Sequence, residues 1–122
     1  MSHTISKTNL IKLLKTTLPP LDKWKASLCG INGDGLRHTF EKSDTMFKTV
    51  SLLRHWNPVI KRHVLTLQFF SQRGDGPHNR KEFFIELKEN DPLLKEFEAH
   101  LDNARKQLGE EELNKVLKEF LL

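Results

Sequence analysis

The residues in this sequence best equipped for chemistry are cations. Between Arg54 and Lys81 stand six Lys or Arg and three His against a single acid, Asp75. Arg73, His78, Arg80 and Lys81 surround a turn-like run, Gln72-Arg73-Gly74-Asp75-Gly76-Pro77-His78-Asn79-Arg80, and Lys61, Arg62 and His63 begin the same arm. Cations so grouped suit phosphate, because nucleic-acid affinity arises largely when Lys and Arg displace counterions from the backbone. Arg adds a planar fork that grips a phosphate or a guanine edge with two hydrogen bonds. A two-stranded ribbon with such a tip fits a groove or lies along a backbone. The nucleic-acid-binding residues expected on this ground are Arg73, His78, Arg80, Lys81, Lys61 and Arg62, with Arg37 on a second hairpin. The pattern does not separate DNA from RNA. A plainer role also fits, since exposed hairpins carry Lys and Arg to stay soluble and resist edge pairing.

Other reactive groups give less. Five histidines, His38, His55, His63, His78 and His100, are scattered, and no two fall four apart on one helix as metal ligands would. Cys29 stands between Leu28 and Gly30, a setting for a small buried residue rather than a nucleophile. Neither a Gly-x-Gly-x-x-Gly run nor a phosphate loop is present, and no cofactor or catalytic residue is assigned. Phe residues in the arm alternate as core, so no aromatic platform for single strands is expected.

The arm itself is expected to be a β-hairpin over Lys61–Glu89. Leu65, Leu67 and Phe69 alternate on one side of the turn, and Phe83, Ile85 and Leu87 on the other, which places each trio on one strand face. Before it, Thr4–Leu18 has helical spacing and stops at Pro19-Pro20. Trp24, Ala26 and Leu28, then Asn32-Gly33-Asp34-Gly35, then Leu36–Phe40 suggest a shorter hairpin. Ser43-Asp44 offers an N-cap to a helix carrying Met46, Phe47, Val50, Leu53 and Trp56, ended by Asn57-Pro58. Asn90-Asp91-Pro92 opens another helix with Leu94, Phe97, Leu101, Ala104 and Leu108, and Gly109 is expected to end it before a last helix from Glu110.

The pattern doubles: strand, Gly-Asp-Gly, strand, cap and helix occur twice, with the turns 41 residues apart in the chain. The expected fold is α+β, one domain over residues 1–122. Two hairpin-plus-helix units would form a four-stranded antiparallel sheet, with an N-terminal helix and two C-terminal helices. That order resembles the arrangement of the pterin carbinolamine dehydratases, which implies a small-molecule enzyme as a further alternative. The adjacent histidines that mark that family's active site are replaced here by His55-Trp56-Asn57-Pro58 and a separate His63.

Charge divides the chain. Residues 1–81 hold fourteen Lys/Arg and five Asp/Glu; residues 82–122 hold six and eleven. A basic body with an acidic tail is found in nucleic-acid and assembly proteins. The apolar residues Leu94, Phe97, Leu101, Leu108 and Phe120 are expected to form an oligomer interface or to dock a protein partner. No apolar run reaches the roughly 20 residues that cross a bilayer. A lone cysteine and the absence of a secretory pattern at the N-terminus suit the cytoplasm. The expectation is a small regulatory or accessory protein that binds nucleic acid through its basic hairpin and self-associates.

Overall fold

The computed structural model describes residues 2–27 and 34–121. Its elements are β1 (Ser2–Thr4), α1 (Lys7–Lys12), β2 (Lys25–Ser27), β3 (Asp34–Lys42), β4 (Met46–Asn57), β5 (Arg62–Arg73), β6 (His78–Leu87) and α2 (Pro92–Leu121). Leu13–Thr17 prolongs α1 as a π-helical turn, and Leu21–Lys23 forms a 3-10 turn. The strands make one six-stranded sheet, β1-β6-β5-β4-β3-β2. Strands β2 to β6 are antiparallel neighbours, while β1 runs parallel to β6.

This architecture overturns the four-stranded antiparallel sheet with its repeat and its four helices. Residues 46–57 form strand β4, not a helix, because β4 lies in the middle of the sheet. Thr49, Val50, Ser51 and Leu52 are all buried, so the alternation that would announce a strand disappears. The Ser43 side chain does accept from backbone amides, those of Thr45 (3.3 Å) and Met46 (3.1 Å), but the result is the β3–β4 turn. Cap and turn use the same chemistry. Asp34 and Gly35 already run in β3, so the first Gly-Asp-Gly is no counterpart of the second. Leu28, Cys29, Asn32 and Gly33, on which other expectations rested, lie outside the described residues. Gly109 does not interrupt α2, which continues to Leu121 as one helix. With β4 a strand, the dehydratase-like order is lost as well.

The β5–β6 hairpin does form, with Leu67 opposite Phe83 and Leu65 opposite Ile85. Its turn depends on Gly74, whose φ of +54° favours glycine. The Gly74 amide donates to the Thr45 carbonyl at 2.9 Å, tying this turn to the β3–β4 turn.

The core lies on one side of the sheet. Leu36, Leu52 and Leu67 share a row with Phe83, and Val50, Leu65 and Leu87 extend that face. Above them pack Leu10 and Leu14, then Leu21 and Trp24, then Leu93, Leu94, Phe97, Leu101 and Ala104 of α2. Each large side chain buried here stabilises by about 1.5–3 kcal/mol. The Trp24 indole keeps its polar edge satisfied by donating to the Pro19 carbonyl at 3.0 Å. Asp91 caps α2, accepting from the Leu93 amide at 2.9 Å, and receives Lys7 Nζ at 2.9 Å from α1. Partial burial pushes the Asp91 carboxyl up, but the Lys7 and Leu93 hydrogen bonds and the Lys7 charge outweigh it and hold the group below its ordinary value.

Candidate nucleic-acid interface

Every sheet residue of the core cluster is on the helix side, so the opposite face is left uncovered by the described helices. The strand register gives the composition of its turn-end rows; further on follow Leu53, Thr66 and Phe84, then His55, Val64 and Glu86. Nearest the turns come Lys42, Phe47, Gln72 and His78; next Thr39, Thr49, Phe70 and Arg80; then Lys25, Arg37, Ser51, Gln68 and Glu82. Polar residues with a few aromatic ones are what a strand face turned to water should carry. The aromatic ones, however, are aligned. Phe47 and Phe70 meet edge to face at 5.9 Å, and Phe70 stacks on His78 at 5.4 Å with 26° between the rings. Three strands thus contribute one diagonal aromatic run. Lys42 and Arg80 adjoin it in register, Arg37 stands a row further on and also lines the cleft beside Leu108, and the one acid in the turn-end rows, Glu82, accepts from Gln68 at 2.9 Å and lies 3.6 Å from Arg80.

The expected site residues are divided by this geometry. Arg37, Arg62, His78 and Arg80 have open-face register. Arg73 and Lys81 belong to the helix-side face, at the end the helices leave bare. There Phe40, Lys48, Phe69, Ser71, Asn79 and Lys81 line a cleft of about 470 Å³. Lys61 precedes and Arg62 begins β5, a 12-residue strand, so about 36 Å separates them from the hairpin tip. They do not share one edge with Arg73.

The aromatic run is the feature that sequence reasoning missed. Its signal was the doublets Phe69-Phe70 and Phe83-Phe84. In a strand, neighbours face opposite ways. Phe69 and Phe83 pack together on the helix side at 6.2 Å, which obliges Phe70 and Phe84 to the other face. Core alternation therefore accounts for half of each doublet only.

The proposed oligomer residues are also redistributed. Leu94, Phe97 and Leu101 are spent in the chain's own core, Leu108 is half-buried, and Phe120 alone is highly exposed. The histidines do not converge: His55 has open-face register, whereas His38 and His63 are on the helix side. Among the described residues no group of three or more His, Cys, Asp or Glu is placed to hold a metal ion. No described helix is long and apolar enough to cross a membrane. Comparison with protein families, with curated proteins and with solved structures returned no match.

Proposed function

We propose that this protein binds single-stranded nucleic acid on the open face of its sheet. The observation that carries the reading is the Phe47–Phe70–His78 run across three strands, rimmed by Lys42, Arg37 and Arg80. Bases stack on aromatic side chains whatever their sequence, while a basic surround follows the phosphates. A duplex hides its base faces and offers nothing to such a platform. An unpaired strand presents both groups at once. Lys81 and Lys48, at the bare end of the helix side, would extend the cationic path round the turn end of the sheet.

The test is fluorescence anisotropy with labelled single-stranded DNA and RNA of about a dozen nucleotides, and with a duplex of equal length. Both single strands, or one of them, should bind, and the duplex should bind more weakly. Phe70→Ala should weaken binding about five- to 150-fold, the range set by about 1–3 kcal/mol per stacked base. A duplex preference, or full affinity in Phe70→Ala protein that remains folded, would sink the reading.

A further inference from the structure

The distal third of α2 leaves the molecule. Leu108 still touches the β2 side of the sheet, where it lines a cleft with Lys23, Lys25, Ala26 and His38. Beyond it every described residue from 109 to 121 is exposed. This segment is about 20 Å of helix at 1.5 Å per residue. It carries Leu113, Val116, Leu117, Phe120 and Leu121, the last two exposed at 83% and 79%. At 100° per residue, the stripe of Leu113, Val116, Leu117 and Phe120 centres about 130° round the helix from the stripe that packs on the sheet. A longer sheet would not cover it. The stripe faces something other than its own core.

The charges around it say what. Glu110 and Glu112 flank the stripe at about 70° and 90° from its centre and Glu119 follows at about 110°, while Lys115 and Lys118, at about 150°, share the opposite side of the helix with Glu111. The surface that complements it is apolar with a cationic rim. A second tail is a poor match, since pairing two copies brings these glutamates together. The segment also holds fewer than two heptads, short of the roughly three to four that argue for a coiled coil. The open sheet face has the required character: Phe47, Phe70 and His78 within Lys42, Arg37 and Arg80.

We infer that the tail of one molecule docks on the open sheet face of a second copy. Reciprocal exchange closes the pair with two-fold symmetry, the commonest arrangement for homo-oligomers, and buries two tails on two sheets. The docking stands apart from the nucleic-acid reading. A consequence rests on that reading: tail and strand compete for one surface, and dimerisation masks the binding face.

Light scattering over a concentration series, without nucleic acid, tests the docking. Wild-type protein should approach twice the 14.3 kDa chain mass. Leu117→Lys/Phe120→Lys protein, altered only at exposed positions, should remain at the single-chain mass. Arg80→Glu protein, whose change is also exposed, should shift toward monomer, as should Phe70→Ala. Mixing the tail variant with the face variant should restore a heterodimer through the one intact tail and the one intact face. A monomeric wild type would overturn the inference. So would a face variant as dimeric as wild type, because the tails would then pair with one another. Where wild-type protein dimerises, a single-stranded oligonucleotide should dissociate it, and the tail variant should bind the oligonucleotide at least as tightly. A dimer untouched by an oligonucleotide that does bind would end the competition while leaving the docking in place.

Discussion

At residue 91 one carboxylate serves two elements, capping α2 through the Leu93 amide and holding Lys7 of α1. Asp91→Ala should cost about 1 kcal/mol of stability, the usual worth of an N-cap, read by chemical denaturation. Asp91→Asn keeps a cap but loses the ion. Because the folded pKa is depressed, the ionic contribution is present above the ordinary carboxylate value and disappears as pH falls through the lowered one. The wild-type advantage over Asp91→Asn should therefore be level at neutral pH and shrink below about pH 4. An advantage that persists into stronger acid would mean that packing, not charge, carries the effect. Phe97, fully buried under the sheet, sets the other extreme: Phe97→Ala should cost about 3–5 kcal/mol, seen as a large fall in Tm. Phe97 was legible as apolar from its spacing, but not as core. An interface stripe and a core stripe look alike until the partner surface is seen.

The elements differ in how far their sequence announced them. The β5–β6 hairpin was legible because its strands alternate and its turn contains Gly74-Asp75-Gly76. Strand β4 was not. It is flanked by strands on both sides, and Thr49 and Ser51, small side chains on the open face, are buried like Val50 and Leu52 on the core face, so its centre is a continuous buried run rather than an alternating one. Its Thr and Val are β-branched, a preference overruled by the three- and four-residue spacing of Met46, Val50 and Leu53. β1 and β2, at three residues each, are too short to carry a period and become strands only because an edge awaits them. In α2 the stop at Gly109 failed for the reverse reason, since helical neighbours on both sides bridge one unfavourable residue. A Cβ there would meet nothing within 4 Å. Gly109→Ala should thus strengthen the tail by up to about 1 kcal/mol. Amide exchange over residues 110–121 should slow, with little change in the sheet; an unchanged tail would show that it is held by something other than its own helix.

On the scale of the whole molecule, charge and shape point the same way. At the turn end cations stand on both sheet faces, Lys42 and Arg80 on the open one and Lys48, Arg73 and Lys81 on the other, while the acidic excess belongs to residues 82–121. If strand binding neutralises about three phosphates at Lys42, Arg37 and Arg80, log affinity should fall against log salt with a slope near −2. Arg80→Glu should flatten that slope by about 0.7 or more, whereas Phe70→Ala should lower affinity with the slope unchanged. Equal slopes in all three proteins would remove Arg80 from the interface. The overall topology has another consequence, for synthesis. β1 pairs with β6, so Ser2, His3 and Thr4 find their partners Glu82, Phe83 and Phe84 only after 80 further residues have been made. At about 5–20 residues per second, this segment waits roughly 4–16 s for that strand. Leu10 and Leu14, which end in the core, spend the interval without the sheet that will bury them. Residues 2–4 are thus among the last to be paired, and a ribosome-bound chain halted before residue 82 should leave residues 2–14 open to proteases and chaperones.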